Sequence, residues 1–169
     1  METIYFKGSP CHTYGTMPRV GEKAPCFNFV TPELKEIQCA DLKGRRVVLN
    51  IFPSLDTDVC AASVRRFNQE AANLENTTVL CVSMDLPFAA GRFCTINGIK
   101  DVTPASAFRS SMFAEKYGLQ IVDGPLAGLL ARAVIVLDED RNIIYSDLVE
   151  EITDEPKYEE AIAVLKEKK

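Results

Sequence analysis

Apolar and polar positions change period several times along the chain. Arg46-Val-Val-Leu-Asn-Ile-Phe52 is a short β-forming run, so it reads as a central strand buried on both faces. Thr77 to Ser83 and Ala133 to Leu137 have the same character. After the first of these, Cys60, Val64, Phe67, Ala71 and Leu74 recur at spacings of 4, 3, 4 and 3, which puts them on one helical stripe. Arg65, Arg66 and Glu70 fall largely off it. Pro53 ends the strand, and Asp56, Thr57 and Asp58 are helix-start residues. Ala105 to Tyr117 predicts another helix, stopped by Gly118. Asp138 to Arg141 is a polar turn, Asn142 to Asp147 a returning strand, and Tyr158 to Lys166 a last helix after Pro156. At the N-terminus Thr3 to Lys7 alternates, Gly8-Ser9-Pro10 turns and Cys11 to Tyr14 returns, which predicts a hairpin. Phe27 to Val30 is a further short strand.

This order predicts an α/β sandwich: a central mixed β-sheet, flanking helices and an added N-terminal β-hairpin. No repeat or linker divides the chain, so residues 1–169 are expected to form one domain. Apolar residues make up 47% and charged residues 25%, ordinary for a globular protein. The net charge of −5 argues against a nucleic-acid surface. No apolar run approaches the roughly 20 residues of a membrane helix. The first residues lack a basic region followed by an apolar stretch, so no secretory signal is read.

Six cysteines stand at positions 11, 26, 39, 60, 81 and 94. A chain this long and apolar does not need a disulfide framework. There is no CxxC pair, and with His12 as the only histidine zinc-ligand spacing is missing. A cytoplasmic protein with mostly reduced thiols, some of them reactive, is the expectation, and no metal or cofactor is called for.

Pro53-Ser-Leu-Asp-Thr57-Asp-Val-Cys60 is the informative segment. It sets a cysteine in the first turn of a helix, directly after a central strand. Unpaired backbone N–H groups and the positive end of the helix dipole favour an anion there. The thiolate is such an anion and is the reactive form of cysteine. Thr57 can place a hydroxyl beside the sulfur. Taken alone, a cysteine on an apolar stripe is as a rule a small core residue, and Thr57 simply a good N-cap.

The octapeptide resembles the active-site loop of peroxiredoxins, a proline, three residues, a threonine, two residues and the peroxidatic cysteine. Arg65-Arg66-Phe67-Asn68, Ser83-Met84-Asp85-Leu86-Pro87-Phe88-Ala89, Leu129-Leu130-Ala131-Arg132-Ala133-Val134, and Glu151-Ile152-Thr153 with Glu155-Pro156 and Tyr158 look like the bacterial thiol peroxidase subfamily, atypical two-cysteine peroxiredoxins. The resemblance runs in the same order over nearly the whole chain, and it implies a thioredoxin-like core.

It also implies roles. Cys60 would attack the peroxide and become a sulfenic acid. Thr57 would bind the peroxide oxygens, Pro53 would shield the sulfur from water, and Arg132 would stabilise the thiolate and the charge developing on oxygen. Cys94 matches the resolving cysteine, which would form a Cys60–Cys94 disulfide that thioredoxin reduces. Hydrogen peroxide and organic hydroperoxides would be substrates, and a homodimer the assembly. Cys11, Cys26, Cys39 and Cys81 have no place in that mechanism; Cys81 reads as core, Cys26 and Cys39 as loop or strand edges, and Cys11 as exposed. His12 reads as a surface residue. Val122-Asp-Gly-Pro-Leu-Ala-Gly128 fits the pattern least and is placed near the substrate entrance or the dimer contact. A redox-sensing module could use the same cysteines, and turnover separates it from an enzyme. A thioredoxin-type disulfide reductase is disfavoured by the missing CxxC.

Overall fold

The computed structural model describes residues 1–70 and 74–167, the side chain of 167 excepted. The chain opens with an antiparallel hairpin of β1 (Thr3–Phe6) and β2 (Ser9–His12). Its turn is Lys7-Gly8, both at positive φ (52° and 83°), as a two-residue hairpin turn of matching twist requires. The sequence places the turn at Gly8-Ser9-Pro10. Ser9 and Pro10 instead belong to the returning strand, where an edge tolerates proline. Cys11, expected to be exposed, is 2% exposed because it faces the core opposite Ile4.

β3 (Asn28–Val30) and β4 (Glu36–Gln38) form a second hairpin, followed by a 3-10 turn at Cys39–Leu42. Then come β5 (Arg46–Ile51), α1 (Asp58–Glu70), β6 (Thr77–Ser83), α2 (Pro87–Asn97), β7 (Thr103–Ser106), α3 (Ser111–Tyr117), β8 (Ala133–Leu137), β9 (Ile143–Leu148) and α4 (Tyr158–Glu167). The seven-stranded sheet has the order β4-β3-β7-β6-β5-β8-β9. β5, β6 and β7 run parallel, and the outer strands pair antiparallel, so the sheet is mixed as expected.

Strand parity divides the core into two layers. Val47, Leu49 and Ile51 of β5 face one, with Leu80, Val82, Ile135, Phe29, Phe113 and Tyr117. Val48 faces the other, with Val79, Cys81 and Val134 from the sheet and Cys60, Val64, Phe67, Tyr158 and Leu165 from α1 and α4. Cys60, Val64 and Phe67 thus share the buried stripe that their spacing predicts; Ala71 lies outside the described residues. Burying such a stripe, rather than helix propensity, is what holds an amphipathic helix in place.

The segment 105–117 is not one helix. Ala105 and Ser106 are buried and pair with Val82 and Ser83, completing the sheet between β6 and β3, and helix begins only at Ser111. Sheet pairing overrides the local pattern there. α2 starts with proline in its first turn and ends at Gly98 (φ 64°), the usual asymmetry of helix ends. Among the described residues no helix is long and apolar enough to cross a membrane.

Cys26 and Cys39, which the sequence places at loop or strand edges without a role, are paired as a disulfide. They stand thirteen positions apart in sequence, but the β3–β4 hairpin brings their Cα atoms to 5.5 Å. Cys81, 4% exposed, is the core residue expected.

The N-terminal hairpin is clasped to the segment after β9. The Tyr5 N–H donates to the Glu150 carbonyl (2.8 Å) and the Ile152 N–H to the Tyr5 carbonyl (2.8 Å). The Glu151 carboxylate accepts the Thr153, Gly8 and Lys7 N–H groups and the Thr153 hydroxyl. These donors, Thr153 and Gly8 foremost, pull its pKa down to about 2. The stretch 122–128 packs on β2: the Val122 N–H donates to the His12 carbonyl, and Asp123 accepts from the His12 backbone and pairs with its ring.

Candidate active site

β5 delivers the chain into a loop, residues 53–57, that turns directly into α1. Pro53 is buried at its start. Thr57 immediately precedes the helix, and its carbonyl accepts the Ala61 N–H (3.0 Å). Cys60 is the third helical residue, within the first turn whose N–H groups have no partner in the helix. The Thr57 hydroxyl donates to the Ser54 carbonyl (3.0 Å), and Thr57 is exposed.

Cys60 is a free thiol, wholly buried. Its sulfur faces Arg132, which the sequence brings from 72 positions away, on the residue before β8. The Arg132 Nη2–H group points at Sγ across 3.1 Å. The arginine is 2% exposed, against the usual surface fate of arginine. Its Nε–H donates to the Ile152 carbonyl (2.8 Å), and its own carbonyl accepts the Val149 N–H (2.9 Å). The clasp between the N-terminal hairpin and residues 150–153 therefore fixes the carbonyl that fixes the guanidinium. Nη1 is buried with no hydrogen-bond partner among the described residues. A buried cation costs several kcal/mol unless an anion faces it. The group facing this one is the Cys60 sulfur, and Nη1 leaves one further donor for an oxygen lodged beside it.

A second set of residues holds the loop. The Asp85 carboxylate accepts the Ser54 hydroxyl (2.8 Å), the Leu55 N–H (2.8 Å) and the Ser83 hydroxyl (2.7 Å). The Ser106 hydroxyl donates to the Asp85 carbonyl. Beneath Cys60, the Ser63 hydroxyl donates to the Cys60 carbonyl (2.7 Å) and accepts from Asn50 Nδ2 (3.2 Å) on β5. Ser83-Met84-Asp85 carries no task that its sequence alone assigns; the Ser-x-Asp spacing at a strand end is the local signal. Asp85→Ala is expected to destabilise the fold by about 2 kcal/mol, because it strands a backbone N–H and two hydroxyls. Urea unfolding checks this.

Cys94 lies in the last turns of α2, half-buried and free. Its carbonyl receives both the Gly98 N–H of the left-handed cap and the Ile99 N–H. Burial, and then the Glu33 carboxylate, push its thiol pKa up. No bond joins Cys94 to Cys60. The first cysteine sits at a helix start and the second near a helix end, so few backbone bonds oppose unwinding either one.

The chain is similar to known proteins over most of its length. Residues 19–162 match the family model for redoxins. A thiol peroxidase of Corynebacterium glutamicum is 54% identical over 165 residues, covering 98% of this chain and 99% of that protein. The crystal structure of a peroxiredoxin-like protein from Aquifex aeolicus superposes with a TM-score of 0.92 at 42% identity, over 98% of this chain and 96% of that one. A thiol peroxidase structure from Chromobacterium violaceum shares the fold, with a TM-score of 0.87 at 20% identity over 98% and 95% of the two chains.

Proposed function

Since the chain belongs to the redoxin family, and within it to the thiol peroxidases, we propose that it reduces hydroperoxides at Cys60 with Cys94 as the resolving thiol. The observation that carries this reading is the buried Arg132 guanidinium 3.1 Å from the Cys60 sulfur. The Cys60 thiolate attacks one peroxide oxygen and the O–O bond breaks. The leaving alkoxide or hydroxide takes a proton, and Cys60 is left as a sulfenic acid. Arg132 supports the thiolate before the reaction and, through Nη1, the charge that grows on oxygen during it. Thr57 offers a hydroxyl to the peroxide from the rim of the loop, and Pro53 closes the sulfur off from water. Cys94 then attacks the sulfenic sulfur. Water leaves and the Cys60–Cys94 disulfide forms.

Thioredoxin is the reductant we assign, hydrogen peroxide and organic hydroperoxides the substrates, the cytoplasm the compartment and a homodimer the assembly.

Cys94→Ser tests the two-cysteine order. Given hydroperoxide without reductant, the wild type is expected to end as an intrachain disulfide. The variant is expected to consume one equivalent and stop with a single oxygen on Cys60, trapped by dimedone and found by peptide mass spectrometry. Continued thioredoxin-linked turnover in the variant would assign resolution to another thiol.

A further inference from the structure

The Cys26–Cys39 disulfide stands apart from this chemistry. Cys39 lines a cleft of about 620 Å³ with Arg45 and Val47, at the start of β5, whereas Cys60 follows its other end. Six strand residues, about 17 Å, lie between. Cys26 is exposed and Cys39 half-buried.

The bond is one of several ties at this place. The Ala24 N–H donates to the Arg141 carbonyl, the Tyr117 hydroxyl to the Pro25 carbonyl (2.7 Å), and the Cys39 N–H to the Phe27 carbonyl (3.3 Å). Cys39 and the two residues before Cys26 are thus held by hydrogen bonds other than the disulfide. Arg141 adds a chemical asymmetry. It occupies a left-handed position (φ 66°) in the β8–β9 turn, its Nε–H donates to the Ala24 carbonyl (2.8 Å), and its Nη1–H points at the Cys39 sulfur (3.7 Å). A guanidinium beside one sulfur favours that sulfur as the leaving thiolate, and the exposed partner is the sulfur open to attack.

We propose that Cys26–Cys39 is a second, reversible dithiol–disulfide centre that exchanges with small thiols in the cleft beside Arg141. An incoming thiolate attacks the Cys26 sulfur, the Cys26–Cys39 bond breaks, and Cys39 leaves as a thiolate facing Arg141. A second small thiol attacks the mixed disulfide on Cys26. It releases the Cys26 thiol and carries off the oxidised small disulfide. Two small thiols lose two electrons and two protons, and the protein pair gains them; the reverse sequence closes the bond. The centre is independent of the peroxide reaction.

The test uses the full chain carrying Cys60→Ser and Cys94→Ser, so that the peroxidase cysteines contribute nothing. Equilibration in glutathione buffers of varied reduced-to-oxidised ratio, acid quench, alkylation and peptide mass mapping give the state of each cysteine. The expected result is reversible conversion between the 26–39 disulfide and two alkylatable thiols. With Cys39→Ser added, glutathione is expected on Cys26. With Cys26→Ser added instead, Cys39 is expected to alkylate about tenfold faster than in the same protein also carrying Arg141→Gln. A disulfide that resists reduced glutathione, thiols that stay free in oxidised glutathione, or an Arg141→Gln change without effect on Cys39 would each overturn the proposal.

Discussion

Cys60→Ser is expected to remove hydroperoxide consumption altogether. Serine nearly reproduces the shape of cysteine, so the buried stripe of α1 stays filled, and the Arg132 Nη2–H keeps an oxygen to point at. Stability should change by no more than about 1 kcal/mol. What disappears is an ionisable, polarisable nucleophile; a hydroxyl in the same place does not attack a peroxide oxygen at neutral pH. The assay is peroxide loss coupled to a thioredoxin reducing system, run on wild type and variant side by side. Rapid wild-type turnover absent from the variant establishes the nucleophile. Equal turnover in both would move it to another cysteine, and little turnover in either would remove thioredoxin as the donor.

Arg132→Met should lower the rate of the peroxide step by about 10²–10³-fold, the usual loss when one preorganised donor to a developing oxyanion is removed. Methionine fills much of the same volume without a charge. Replacing a buried ion by a well-packed apolar side chain is often neutral in stability, so activity and stability are expected to separate here. Arg132→Lys should recover only part of the rate. An ammonium cannot hold the Ile152 carbonyl, the Cys60 sulfur and a peroxide oxygen in one plane as the guanidinium fork does. Stopped-flow kinetics resolve the outcome. Loss confined to the peroxide step supports the electrostatic role, whereas equal loss in the reaction of the preformed disulfide with thioredoxin would mark general damage.

The strands of the central sheet were legible because each is a short, β-forming and mainly apolar run that burial on two faces favours: Arg46–Ile51, Thr77–Ser83 and Ala133–Leu137. The stripe through Cys60, Val64 and Phe67 was legible for the matching reason, its helical period. Ala105 and Ser106 were misread because nothing local in 105–117 tells a short paired strand from the first turn of a helix; the neighbours Val82, Ser83 and Val30 decide it. The site was less legible than the fold. Position 60 carries a local signal, a cysteine after a strand and a helix start. Arg132 carries none, and only the motif around it suggested its task. Asp85 and the Ile152 carbonyl act through contacts between residues far apart in sequence, Leu55 with Asp85 and Arg132 with Ile152. The Cys26–Cys39 pair escaped for the same reason, since a spacing of thirteen means contact only once a hairpin lies between.

The 72 positions between Cys60 and Arg132 have a consequence for the chain as it is made. At synthesis rates of about 5–20 residues per second, the cysteine precedes its arginine by about 4–14 s. Ile152, whose carbonyl orients the guanidinium, emerges later still. During that interval the Cys60 thiol lacks the guanidinium beside it, and under the proposed mechanism the nascent polypeptide is a poor target for hydroperoxide. On the proposed roles of Cys60 and Arg132, reactivity is switched on by completion of the tertiary structure, not by translation of the cysteine.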